Sequence, residues 1–385
     1  MKRLRCILLL LLLAFWPTAQ ASAQAQPVAP EAWLVTYGPG EIYWQRFGHN
    51  AIWIRDPARG LDHAFNFGFF DFEQERFFLR FLQGRMLYFS AAQPVREEFA
   101  AYIDENRSIR AQKLDLDAVQ LTQLTRYLVR EVQPENRDYL YDYYRNNCST
   151  RVRDVLDLAL DGAVSDRFQP LAANQTWRDH TRRLTVGDFW LYLGLEIGLG
   201  APVDRRIDRW EEMFIPEVLA EAVSALEIER NGVTRPLVTE DTLLYRSTLA
   251  GPPASPPMVW PRYLLAALLA VALAALLSRW LSAGALARGW FGATGLLGAA
   301  LLFLWFGTDH AVAQLNLNLL VFSPLWLLLA FWRRGGRLPL YLVGTFSLLG
   351  LLMIWLPPGQ YTLDVLAAFL PLNLAAAYAL GRVRA

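Results

Sequence analysis

Apolar and polar positions divide this chain into two regimes. From residue 24 to about 251, apolar residues are interleaved with charges. From residue 261 onward, long apolar runs alternate with short polar loops. In the first regime, residues 34–37, 50–54 and 64–69 have the alternation and β-branched or aromatic content of strands. Asp56-Pro57 and Gly60 supply a turn between the last two. Residues 73–82 predict a helix with Phe77, Phe78, Phe81 and Leu82 on one side. Residues 115–132 and 149–160 predict two more by their apolar spacing. Pro252-Pro253-Ala254-Ser255-Pro256-Pro257 separates the regimes as a short, stiff linker.

The second regime holds apolar stretches at 261–278, 289–307, 312–332, 338–357 and 363–381, each near the length of a membrane-spanning helix. Loop charges orient them. With residues 24–251 outside, the inner loops receive Arg279 and Arg288, then Arg333, Arg334 and Arg337, then Arg382 and Arg384. The outer loops receive Asp309-His310 and the uncharged Pro357-Pro358-Gly359-Gln360, as the positive-inside rule requires. Lys2, Arg3 and Arg5, a Leu-rich run to Trp16 and Ala21-Ser22-Ala23 independently form a cleavable export signal. The expected organisation is therefore a signal peptide (1–23), a periplasmic domain (24–251), a Pro-rich linker (252–260) and a transmembrane domain (261–385). Long apolar helices place it in the inner membrane, since outer-membrane spans are β-barrels. The C-terminus is then cytoplasmic.

Composition narrows the chemistry. The formal net charge of +1 gives no electrostatic footprint for nucleic acid. His49, His63, His180 and His310 are scattered, with no Cys/His cluster at zinc spacing and no phosphate-cradling Gly-rich loop. No cofactor or metal is therefore expected. Of the two cysteines, Cys6 lies in the signal and only Cys148 remains after cleavage. A solitary thiol in an exported protein points to a reactive group or to intermolecular pairing.

Cys148 sits in Asn146-Asn147-Cys148-Ser149-Thr150, at a predicted helix start that Asn147 can cap. A helix N-terminus favours thiolate, so a lowered thiol pKa is expected. A nucleophilic thiol needs a base, and His49 in Phe47-Gly48-His49-Asn50 leads into a strand. A third group usually orients the imidazole; Asn66 is preferred, with His63 and Asp71 open. The competing readings are a small core cysteine and a turn histidine.

A histidine in a strand followed by Asn-Cys at a helix start resembles the circularly permuted papain-like and NlpC-like proteins. The whole chain resembles the Lnb-like bacterial lipoprotein N-acyltransferases. The matching pieces are Phe47-Gly48-His49-Asn50-Ala51, Phe65-Asn66-Phe67-Gly68 with Phe70-Asp71-Phe72, and Tyr141 through Asp154. Further pieces are Glu212-Met213-Phe214-Ile215-Pro216, Asp309-His310, Asn316 to Leu320, and Pro324. The resemblance implies an α+β permuted papain-like periplasmic domain followed by an all-α five-helix transmembrane domain. It also implies lipoproteins as acyl acceptors. Arg145 stands where the family pattern has an acidic residue.

Asp309, His310, Asn316 and Asn318 are polar groups at or inside apolar segments, where such groups are often functional. They are candidates for binding a lipid headgroup or the acceptor amine; for the two asparagines the alternative is interhelical hydrogen bonding. The combined expectation is a membrane-embedded acyltransferase. It would move a fatty acyl group from a membrane lipid, either a phospholipid or an acyl chain already on the lipoprotein, through a Cys148 thioester to a lipoprotein amine, with Cys148, His49 and Asn66 catalytic. The alternatives are a Cys/His hydrolase acting on cell-wall peptides or lipid thioesters, and a non-enzymatic scaffold.

Overall fold

The computed structural model describes residues 29–356 and 359–382. The expected signal peptide lies outside them. The N-terminal domain runs β1 (Glu31–Tyr37), β2 (His49–Asp56), β3 (Leu61–Phe69), α1 (Phe77–Gln83), β4 (Leu87–Pro94), α2 (Val95–Asp104), β5 (Ile109–Leu114), α3 (Ala118–Glu131), β6 (Asp138–Leu140) and α4 (Cys148–Ala159). It continues with α5 (Ala163–Phe168), α6 (Trp177–Thr185), α7 (Phe189–Gly198), α8 (Arg209–Glu212), α9 (Pro216–Ala225), β7 (Glu227–Arg230), β8 (Val233–Pro236) and β9 (Val238–Tyr245). Seven strands form an antiparallel sheet in the order β6-β4-β3-β2-β1-β5-β9, and β7 and β8 form a separate hairpin.

Strand alternation sends successive side chains to opposite faces of this sheet. Leu34, Ile52, Phe65 and Phe67 share the main core with Val152, Val155 and Leu156 of α4. Val35, Tyr37, Ala51 and Ala64 share a smaller core with Val95 and, at its margin, Phe99 and Tyr102 of α2. Both faces are covered, so even polar strand residues such as Asn50, Asn66 and Gln112 are buried. Such groups persist inside only when hydrogen-bonded.

The C-terminal half contains α10 (Trp260–Leu277), α11 (Ala283–Phe306), α12 (Trp326–Ala330), α13 (Leu338–Met353) and α14 (Leu363–Gly381). Three of these, α10, α11 and α14, are long and apolar enough to cross a membrane, and α13 is shorter at 16 residues. The stretch at 312–332, expected as one spanning helix, is instead broken. It consists of 3₁₀ turns at Ala311–Ala313 and Leu317–Leu320, then α12. Leu315 has φ 49°, and Asn316 caps the second turn by accepting from the Asn318 amide. These local bonds compete with helix continuation.

Glycines on α11 accommodate the irregular strand of chain. A Cβ at Gly298 would lie 1.7 Å from the Phe322 carbonyl, and one at Gly295 would lie 2.7 Å from the Leu327 amide. The broken segment therefore runs antiparallel along α11. Irregular backbone at membrane depth is tolerated where protein buries it. The Gly336 amide bonds the Gly381 carbonyl (3.0 Å), placing the 333–337 loop beside the end of α14. The opposite ends of α11 and α14 meet the N-terminal domain, through Arg85–Asp309 (2.6 Å) and Arg182–Asp364 (3.2 Å). Arg333, Arg334, Arg337 and Arg382 thus gather at the end away from the sheet.

Candidate active site

The site begins with the cap of α4. Asn147 Oδ1 accepts from the Thr150 amide (2.9 Å), and Thr150 Oγ1 accepts from the Asn147 amide (2.8 Å). This reciprocal box satisfies helix-end groups and fixes where the helix starts. Asn147 Nδ2 donates to the carbonyls of Tyr143 (3.0 Å) and Phe214 (2.9 Å), so the cap itself is held from two directions. Cys148 is the first helical residue and is half-buried.

Ser149 joins the helix to the sheet. Its Oγ lies 2.8 Å from Asn50 Oδ1 and 2.6 Å from the Met213 carbonyl. Asn50 Nδ2 donates to Thr36 Oγ1 (2.9 Å) and approaches the Pro216 carbonyl (3.4 Å). The Met213-Phe214-Ile215-Pro216 segment thus presents three carbonyls that hold Ser149, Asn147 and Asn50. The dipeptides Cys148-Ser149 and His49-Asn50 are thereby set against each other, and the backbone N–H of Asn50 faces the Cys148 sulfur. Gly68, with φ 93°, completes the wall: a Cβ there would sit 3.4 Å from Cys148 Cβ and 3.6 Å from the Tyr141 ring. Only glycine adopts that backbone without strain.

His49 Nε2 lies 2.8 Å from Asn66 Oδ1. The amide of Asn66 is oriented by its other end, since Nδ2 donates to Glu98 Oε2 (2.6 Å) and approaches the Ala64 carbonyl (3.3 Å). The oxygen must then face the imidazole, so Nε2 carries the proton and Nδ1 has the free lone pair. Glu98 is buried and also accepts from the Tyr37 hydroxyl. A chain of hydrogen bonds therefore runs Tyr37–Glu98–Asn66–His49. Tyr102 stacks on Tyr37 with ring centroids 3.6 Å apart, and the Arg107 guanidinium lies 4.5 Å over the Tyr102 ring.

Burial dominates the protonation states. It pushes the Cys148 thiol up to about 11, against the pull of the Asn50 and Ser149 amides and of Arg107. It pushes the His49 imidazole down to about 4, opposed by the bond to Asn66 and assisted by Arg107. The expectation of a lowered thiol pKa is therefore corrected. The helix-start amides stabilise the anion, but the apolar walls at Gly68 and Tyr141 remove more solvation than they replace. At neutral pH the thiol is protonated and the imidazole is neutral.

Other expected residues fall elsewhere. His63 lies three positions before Asn66 on β3, hence on the opposite face, and its Nδ1 accepts from the Asp62 amide (3.3 Å). Asp71 is exposed and accepts from the Glu73 amide (2.8 Å) in the turn before α1. Arg145 is exposed and lies over the Trp177 ring. Arg151 stacks on Tyr139 and Phe67, and Arg153 pairs with Asp154 and stacks on Trp210.

Asp309 and His310 lie where the membrane half meets α1. The Asp309 amide donates to the Gln83 carbonyl (2.8 Å), and His310 Nε2 lies 2.9 Å from the Phe81 carbonyl. Asn316 and Asn318 are buried. Asn316 Nδ2 donates to the Ile197 and Gly198 carbonyls (2.8 and 3.1 Å), and Asn318 Nδ2 to those of Glu196 and Ile197 (2.8 and 3.0 Å). These are orphan carbonyls at the C-terminus of α7. Glu98, Tyr37, Tyr102 and Arg107 were not singled out from the sequence. Glu98 carries a weak signal, as an acid on the buried side of the short helix α2.

Two family models match the chain. The Lnb N-terminal periplasmic domain matches residues 18–183, and the Lnb transmembrane domain matches residues 254–381. The chain belongs to the Lnb-like family. It is a membrane protein with a periplasmic N-terminal domain, and membership points to an enzyme. No curated protein and no solved structure matches it. The first matched region contains Cys148, His49 and Asn66. The 213–216 segment, which holds their neighbours Asn147, Ser149 and Asn50, lies between the two matched regions.

Proposed function

We propose that this Lnb-like protein is an acyltransferase that works through a thioester on Cys148. The observation that carries the reading is the clamp setting Cys148-Ser149 against His49-Asn50, with Asn66 fixing the imidazole. His49 Nδ1 takes the thiol proton as sulfur attacks the carbonyl of a membrane lipid's acyl ester. The C–O bond breaks, and His49 returns the proton to the departing alcohol. The N-terminal amine of a lipoprotein then attacks the thioester. His49 takes a proton from the amine, the C–S bond breaks, and the thiol is regenerated. The amides of Asn50 and Ser149 face the sulfur; in this reading they support the oxyanion that forms on the carbonyl bonded to it.

A proton-transfer pair suits a thiol that rests protonated: deprotonation occurs as the bond to carbon forms. A membrane half beside the site keeps lipid esters within reach. The gathered arginines at its far end favour an inner-membrane placement with the C-terminus in the cytoplasm. Residues 24–251 are then the catalytic domain, of permuted papain-like type.

The test is mass spectrometry of a reporter lipoprotein from cells lacking their own N-acyltransferase. The cells express this chain or its Cys148→Ser variant. An added N-acyl chain with the wild type alone supports the reading. Acylation by both proteins removes Cys148 as nucleophile. Free fatty acid without N-acylation assigns a hydrolase instead.

A further inference from the structure

Helix α1 divides its surface in two. Arg76 at its N-cap, Leu79, Arg80 and Gln83 follow helical spacing and, with Arg85 and Leu140, line a cavity of about 450 Å³. Phe78, Leu82 and Phe81 lie off that line. Phe78 is 73% exposed, and Leu79, Phe81 and Leu82 are exposed as well. Basic residues beside a bare apolar surface are the marks of a helix lying in a membrane interface.

The depth of α1 is fixed by the spanning helices. Its last turn is bonded to Asp309 and His310, immediately after α11 ends at Phe306. Gly84 admits no side chain there, because a Cβ would lie 2.7 Å from the His310 amide. Arg85 pairs with Asp309 (2.6 Å) across the same junction. Helix α1 therefore lies at the height where α11 leaves the bilayer, at the headgroup level of the periplasmic leaflet.

The charges in the cavity are incompletely answered. Arg76 is 3.4 Å from Glu75 and Arg85 holds Asp309; both pairs are exposed. Among the described residues Arg80 has no ion-pair partner. No carboxylate lines the cavity. Guanidinium groups at this height meet lipid phosphates before any other anion at comparable concentration, and their planar donors match phosphate oxygens.

We propose that the α1 cavity is a phospholipid-binding site. It receives the headgroup phosphate between Arg76, Arg80 and Arg85, while Phe78 and Leu82 enter the acyl region of the periplasmic leaflet. This seats the domain on the bilayer and holds the mouth of the Cys148 site at lipid level. The aromatic contacts Phe77–Phe70 (6.2 Å), Phe70–Tyr88 (5.2 Å) and Tyr88–Tyr141 (4.2 Å) run from α1 to the wall beside Cys148. The assignment does not depend on what chemistry Cys148 performs.

The test is native mass spectrometry of the detergent-solubilised full chain, titrated with phosphatidylglycerol or with diacylglycerol of the same chains. Wild type, R76Q, R80Q and the double variant are compared; Arg85 is left intact because it holds the junction. Retention of phosphatidylglycerol is expected to fall about fivefold for each arginine removed. Diacylglycerol binding is expected to be weak and insensitive. Equal retention of both lipids by wild type, or of phosphatidylglycerol by wild type and the double variant, overturns the site. So does Arg80-dependent binding of a Glu-rich peptide without lipid binding. A spin label at F78C in a C6S/C148S chain, in nanodiscs, is expected to be more accessible to oxygen than to an aqueous nickel chelate. The reverse order also overturns the proposal.

Discussion

Asparagines serve two helix ends in this protein, with opposite results. At the N-terminus of α4, Asn147 satisfies the Thr150 amide from inside the same segment and leaves the half-buried Cys148 beside it outside the cap's hydrogen bonds. At the C-terminus of α7, Asn316 and Asn318 arrive from more than a hundred residues away and cover consecutive carbonyls in a buried seam. The first arrangement orders a helix start and leaves the candidate nucleophile outside the cap. The second uses its donors entirely on backbone and joins the two halves. The same residue type thus frames a candidate site in one place and a seal in the other. What differs is whether the capping amide's bonds leave a neighbouring group free, here the Cys148 thiol, or are spent wholly on buried backbone.

The largest effects should come from the open end. Cys148→Ser and His49→Ala are each expected to lower acyl transfer by about a thousandfold or more, with membrane levels unchanged. Quantified N-acylated reporter per unit of protein reads this directly. A Cys148→Ser enzyme at more than a tenth of wild-type rate would dissolve the contrast.

Asn66→Ala removes the acceptor that sets the imidazole tautomer. Turnover should fall by about 10- to 100-fold, with little change in KM. If KM moves and kcat does not, Asn66 contacts substrate rather than His49.

Protonation offers a sharper probe of the same site. A base role requires a neutral His49, and its pKa is lowered to about 4. Activity should be lost as pH falls through about 4, with no His49-linked change across neutral pH. The thiol rests near 11, so alkylation of Cys148 by iodoacetamide should quicken about tenfold per pH unit from 7 to 10. A rate already level by pH 8 would mean a preformed thiolate.

The sealed end should respond in stability instead. The double variant Asn316→Ala with Asn318→Ala uncovers buried carbonyls and should cost about 2–3 kcal/mol. Thermal unfolding in detergent would report it, while the specific activity of the folded fraction stays within about twofold. Smallest of all, Arg145→Ala should leave transfer within about twofold, because its charge lies over Trp177.

Much of this was legible in the residues. The strands at β1, β2 and β3 and the helices α3 and α4 follow from alternation and apolar spacing. The start of α4 at Cys148 follows from a cap three residues before Thr150. Strands β4, β5, β6 and β9 were not legible. β5, β6 and β9 carry charges and β4 carries small and polar residues with a terminal proline, so only pairing with neighbours selects the extended state. The broken segment was illegible for a related reason: 312–332 is apolar enough to span, and nothing local says that α7 needs its asparagines.

The sequence by itself determined the two-regime organisation, the charge asymmetry of the membrane half, and the candidacy of Cys148, His49 and Asn66. These are properties of composition and short spacing. Tertiary structure alone decided the Tyr37–Glu98–Asn66 relay, the carbonyl clamp at 213–216 and the high resting pKa of the thiol. Each depends on which groups are brought together and how much water is removed. Desolvation and hydrogen bonding act over a few ångströms in space, across gaps of 32 to 166 residues in sequence.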